Sequence, residues 1–211
     1  MSKSFDLSSL DLAALISSRL CHDIISPVGA IINGLEVLDE EGNEDMKDFA
    51  MDLIRKSAGQ ASAKLQFARL AFGAAGSAGA EIDLGDAQSV AEGFMAGEKP
   101  DLVWDVPRLL MAKNKVKLLL NMILVANQCI PRGGTVTVSM TGDAENPVFK
   151  FTSQGKNARI PIKIDEVFIE EDTETVDAHS IQPIYTWLLA RECGLKVELE
   201  SVEESVTISV R

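Results

Sequence analysis

The sequence predicts an α+β protein: an N-terminal antiparallel helical hairpin forming a dimeric four-helix bundle, followed by an α/β sandwich. Three observations predict it. Leu20, Ile24, Val28, Ile31, Leu35 and Leu38 recur at the 3–4 spacing of one helical face. Met46, Phe49, Leu53, Ser57, Gln60, Lys64 and Phe67 form a second, heptad-like line. Beyond Gly73-Ala-Ala-Gly-Ser-Ala-Gly-Ala80, helical patterns alternate with strand patterns, as in a sheet with helices on one face.

The first helix is expected over about 8–40 and the second over about 44–73, with Glu41-Gly42-Asn43 supplying the turn between them. Two helices alone cannot enclose a core, and each of these carries apolar residues beyond one narrow stripe. Self-association into a four-helix bundle would bury the excess. The small-residue stretch fits a flexible link or an Ala-rich extension of the helix, and it divides the chain into 1–75 and 76–211. In the second part helices are expected at about 85–97, 113–130 and 181–193. Strands are expected at about 101–106, 134–141, 147–154, 160–169, 195–202 and 205–210. The last two show the clearest alternation, Val197, Leu199, Ser201 and Val206, Ile208, Val210.

Composition narrows the function. The 211 residues carry a net charge of −12, which disfavours nucleic acid and anionic membrane surfaces, because both require clustered Lys and Arg. Cys21, Cys129 and Cys193 are odd in number and widely spaced, so they read as free thiols of a reducing compartment. The N-terminal residues lack a signal-peptide apolar region, and no apolar run is expected to reach the roughly 18–20 residues of a membrane span. The expected location is the cytoplasm.

Only two histidines are present, His22 and His179. At about 100° per residue, His22 shares its helical face with Ser18, Arg19, Ser26, Gly29 and Asn33, opposite Leu20, Ile24, Ile31, Leu35 and Leu38. Asp23 is placed to hold one ring nitrogen and leave the other as a nucleophile. Pro27, one turn on, removes a backbone donor and is expected to bend the helix. From spacing alone, a solvated surface histidine is the favoured reading.

His22-Asp23-Ile24-Ile25-Ser26-Pro27 resembles the H-box of histidine kinases: a phospho-accepting histidine, an acidic neighbour, then a small polar residue and proline. The hairpin around it is similar to the dimerisation and histidine-phosphotransfer domain of those kinases. Val116 to Val138 resembles the segment that carries their N-box. By that alignment the magnesium-binding asparagine falls on Val125 and its acidic neighbour on Leu124, and neither supplies the oxygen that Mg²⁺ needs. Asn121 and Asn127 lie nearby, out of register.

The adenine-reading Asp-x-Gly-x-Gly turn falls on Ser153-Gln154-Gly155-Lys156-Asn157, and the Gly-rich phosphate turn on Ser180-Ile181-Gln182-Pro183. Gln182 and Pro183 obstruct the close approach of backbone to phosphate that glycine permits. The second part therefore resembles a degenerate Bergerat-type α/β domain. The combination is similar to the ChpT-type histidine phosphotransferases of alphaproteobacterial cell-cycle relays.

That resemblance implies a phosphoryl shuttle without ATP, in which His22 and Asp23 carry the chemistry and Ser18, Arg19, Ser26, Gly29 and Asn33 form a docking strip. It implies a homodimer whose partners are the receiver domains of a hybrid histidine kinase and of response regulators. No cofactor of its own is implied; Mg²⁺ would belong to the receiver. Two other readings stay open: a dimeric receiver-binding module that accepts no phosphate, and an ATP-dependent kinase core with a realigned site.

Overall fold

The computed structural model describes residues 7–40, 44–73, 80–169, 176–177 and 180–211. The expected turn at 41–43, most of the small-residue link with the 75/76 boundary, and His179 lie outside the described residues.

Helix α1 (Ser9–Asp39) starts where the Ser8 hydroxyl accepts from the Asp11 amide at 3.1 Å, the usual way to satisfy an orphan first-turn donor. It continues through Pro27 to Asp39. Helix α2 (Glu44–Ala71) returns beside it, because Gly34 meets Ala50 and Ile54 while Asp23 meets Lys64. Gly34 permits a close approach: a Cβ there would lie 2.7 Å from Ile54 Cγ1 and 3.2 Å from the Ala50 carbonyl oxygen.

The remaining elements are β1 (Glu81–Asp83), α3 (Leu84–Met95), β2 (Pro100–Asp105), β3 (Leu110–Ala112), α4 (Lys113–Cys129), β4 (Gly134–Gly142) and β5 (Pro147–Gln154). These are followed by α5 (Ile162–Phe168), α6 (Ile181–Glu192), β6 (Val197–Val202) and β7 (Ser205–Val210). Five strands form one sheet in the order β2-β4-β5-β7-β6, parallel only at β2–β4. Parallel pairing there requires a crossover, and α4 supplies it between β2 and β4. Val136, Val138, Phe149, Phe151, Val206, Ile208 and Val210 face the helical layer, and Val116, Leu119, Leu120 and Ile123 of α4 meet them in one core. Gly134 (φ +131°) opens β4 in a conformation that side chains avoid, against the Gln154 carbonyl.

Several expectations require correction. Residues 160–169 are not a strand; α5 occupies most of them, from Ile162 to Phe168. Ile160, Ile162 and Ile164 mimic strand alternation, but Pro161 (ψ 144°) sets the turn that opens a short helix. That helix buries Ile164 and Val167, three residues apart, and leaves Ile162 outside. The three-residue strands β1 and β3, paired from Glu81↔Ala112 to Asp83↔Leu110, were not expected at all.

The hairpin is also less one-sided than its spacing predicts. Val28 and Leu35 do not enter its seam; with Ile25 and Ile32 they form a second, exposed stripe. Met46 and Phe49 of the heptad-like line are exposed as well. Because of this doubled apolarity, α1 contains an 18-residue window long and apolar enough to cross a membrane, contrary to the expectation, and only 6% of that window is buried. Signal sequences and helices of soluble proteins meet the same criterion.

Candidate functional site

His22 stands near the middle of α1, its side chain 74% exposed, with Nδ1 3.6 Å from Asp23 Oδ1. The other carboxylate oxygen of Asp23 accepts from Arg19 Nε at 3.0 Å, one turn earlier on the same helix. The strip named from the sequence lies around it: Ser18, Ser26 and Asn33 are exposed, and Gly29 is half-buried with no atom within 4 Å of where its Cβ would stand. Arg19, assigned to the docking strip from the sequence, is thus engaged by Asp23.

Helical geometry sorts the surroundings of His22 into three sectors. At about 100° per residue, Arg19 and Asp23 lie to one side and Ile25, Val28, Ile32 and Leu35 to the other, while the seam with α2 lies behind. On the Arg19–Asp23 side, a cleft runs between the hairpin and the second part of the chain, lined by Ile24, Lys64, Phe67, Phe94, Leu124 and Gln182. Lys64 Nζ reaches across from α2 to donate to the Asp23 main-chain oxygen at 3.4 Å. Sequence spacing gave no sign of this contact, which joins residues 41 apart.

Leu124 and Gln182 of that lining belong to segments where the nucleotide signatures would align, and the polar residues around those segments are held within the protein. Asn121 is fully buried, and its Nδ2 donates to Ala71 O at the end of α2 and to Lys117 O, each at 2.9 Å. Gln182, 1% exposed, donates to the Asn121 main-chain oxygen at 3.0 Å and to Thr186 Oγ1 at 2.9 Å. Its own Oε1 accepts from Gln128 Nε2 at 3.0 Å. Ser153, at the head of the adenine-turn segment, is buried and donates to Ala126 O at 2.9 Å. These polar groups are saturated within the protein, and Val125 and Leu124 add only apolar surface.

The thiols are protonated at neutral pH where they are buried. Burial pushes Cys129 up to about 12, and burial followed by the Glu192 carboxylate pushes Cys193 up to about 11. Tyr185, raised to about 12 by burial and then by Glu192, packs its ring 5.4 Å from Phe72 and ties α6 to the end of the hairpin. Cys21, next to His22, is exposed. Among the described residues no three His, Cys, Asp or Glu side chains gather as metal ligands would.

A long two-helix hairpin that presents an exposed histidine beside a carboxylate, packed on an α/β sheet domain, defines a class: a phosphotransfer scaffold. Residues 84–205 match the family model of the histidine phosphotransferase C-terminal domain. The chain is 52% identical over 210 residues to Protein phosphotransferase ChpT of Brucella abortus (strain 2308), covering 99% of each sequence. A solved bacterial phosphotransferase at 1.7 Å superposes with a TM-score of 0.91 at 49% identity, covering 100% of both chains. This chain belongs to the histidine phosphotransferase family.

Proposed function

We propose that the chain is a relay protein that takes a phosphoryl group from one receiver-domain aspartate onto His22 and passes it to another. The observation that carries the reading is the pairing of an outward-facing imidazole with a carboxylate at its Nδ1 side. Asp23 favours the tautomer with the proton on Nδ1, so Nε2 is the attacking atom. The Nε2 lone pair attacks phosphorus, the acyl-phosphate P–O bond breaks, and the receiver carboxylate leaves with that electron pair. The Nδ1 proton stays on the ring, whose positive charge Asp23 balances. The return step reverses these events on the second receiver.

Positioning and charge stabilisation dominate such transfers, so an oriented ring and a docking face suffice on this side. Ser18, Ser26, Gly29 and Asn33 form that face, and Arg19 holds Asp23 in place. Mg²⁺ belongs to the acidic cluster of the receiver. The saturated Asn121–Gln182 network supports transfer without ATP, because a phosphate chain would have to displace buried hydrogen bonds.

The protein works as a homodimer, with Ile25, Val28, Ile32 and Leu35 meeting their copies in a four-helix bundle built by the 1–75 segment. The 76–211 segment serves as scaffold for the hairpin. The setting is the cytoplasm; the acidic charge of −12 supports partners other than nucleic acid or anionic membrane. Labelled phosphoryl transfer from a hybrid-kinase receiver to a response-regulator receiver tests the reading. His22→Ala should abolish it, and transfer that survives the substitution would sink the shuttle. Incubation with labelled ATP alone should leave the protein unlabelled.

A further inference from the structure

We infer that Lys64 is a positioning residue for the His22 reaction, acting through the main chain of Asp23; the inference rests on the relay reading above. In an unbroken helix the Asp23 carbonyl would accept from the amide four residues on. That residue is Pro27, which has no N–H, although α1 continues through it. The place of the missing donor is taken by Lys64 Nζ, 3.4 Å from the oxygen and carried by the other helix.

Asp23 is therefore held at both ends. Arg19 Nε grips one carboxylate oxygen at 3.0 Å, the other stands 3.6 Å from His22 Nδ1, and Lys64 holds the peptide unit behind them. The aim of that carboxylate at the imidazole depends on a helical turn that proline has deprived of a hydrogen bond. Without Lys64 the Asp23 peptide unit would turn its carbonyl toward water, as carbonyls freed at proline kinks do. The carboxylate would move with it, and the ring would lose the group that fixes its tautomer. The defect is in the chemical step, since Lys64 lies on the cleft side and outside the strip assigned to docking.

The test uses the full-length protein, a phosphorylated receiver as donor, and stopped-flow or quench-flow measurement of phosphoryl arrival on His22. Lys64→Met should lower kcat about three- to tenfold, the value of one hydrogen bond of this kind, and leave KM for the receiver unchanged. Lys64→Arg should restore most of the rate. The decisive comparison is in a Pro27→Ala background, where residue 27 regains an amide to satisfy Asp23; there Lys64→Met should cost less than about twofold, because the helix itself then fills the carbonyl. An equal loss in both backgrounds, a change confined to KM, or no loss in either would overturn the proposal. A wild-type protein that accepts no phosphoryl group from any receiver would instead overturn the relay reading, whatever the Lys64 variants do. Circular dichroism and thermal melts of each variant separate a folding defect from the kinetic one, and Lys64→Gln, which removes the ammonium but stays polar, carries the same test with the same expected losses if Lys64→Met does not fold.

Discussion

Gln182 Nε2 donates to the main-chain oxygen of Asn121 at 3.0 Å, fastening the first turn of α6 to the middle of α4. Asn121 in turn donates to Ala71 O, so one polar chain links the sheet domain to the end of the hairpin. Gln182→Leu removes the donors to the Asn121 main-chain oxygen and to Thr186 Oγ1, and one of the two acceptors of Gln128 Nε2, which keeps Leu124 O. Each lost hydrogen bond is worth about 0.5–1.5 kcal/mol net, and the total loss is about 1–3 kcal/mol. Urea unfolding should show that loss, and the variant should still take no label from ATP. Stability equal to wild type would mean the network is not a fastening.

Self-association can be attacked on α1 alone. Ile32→Glu together with Leu35→Glu places two charges in the exposed stripe without touching the seam with α2. Sedimentation equilibrium should show the wild type as a dimer and the double variant as a monomer at micromolar concentration. A dimer that tolerates both glutamates would move the interface elsewhere.

The ion pair at the start of α3 sets an acid limit. The Arg108 guanidinium, 2.8 Å from Asp83, holds that carboxyl below the usual carboxylate range, helped by the Gly85 amide. A lowered folded-state value stabilises the fold above the unfolded carboxylate pKa of about 4, and the contribution is lost as pH falls through the folded value. Asp83→Asn keeps an acceptor for Gly85 but not the charge. Melting temperatures of wild type and variant should differ at pH 7, and the gap should narrow as pH falls below about 4, through the lowered folded value; a gap that stays constant into strong acid would contradict this pairing.

Gly34→Val tests the packing of the hairpin. The added Cβ would sit 2.7 Å from Ile54 Cγ1, and overpacking of this kind costs about 1–3 kcal/mol. Replacing glycine in a helix returns only about 0.5 kcal/mol, so the strain wins. The variant should melt several degrees lower, and an unchanged melt would show that the helices separate freely.

Periodicity made the long helices legible, because 31 and 28 residues of 3–4 spacing outweigh any local ambiguity. It could not assign stripes. Val28 and Leu35 fit a seam by spacing, yet Pro27 and Gly34 are the buried residues of α1, since small or ring-closed side chains let α2 come close. Short elements failed for a related reason. Three residues of β1 acquire their identity only by pairing with β3, and Ile160, Ile162 and Ile164 alternate like a strand until Pro161 intervenes. His22 and its neighbours were legible as a local string. The contacts from Lys64 and Gln182 were not, for they join residues 41 and 61 apart.

The close fit at Gly34 has a consequence for how signals reach the histidine. With Ala50 and Ile54 seated where a side chain would be, any sliding or rotation of α1 against α2 would have to carry Gly34 away from the spot that accepts it. Under the relay reading, a hairpin keyed in this way would offer His22 in a single attitude, and the order in which receivers meet it would set the direction of transfer.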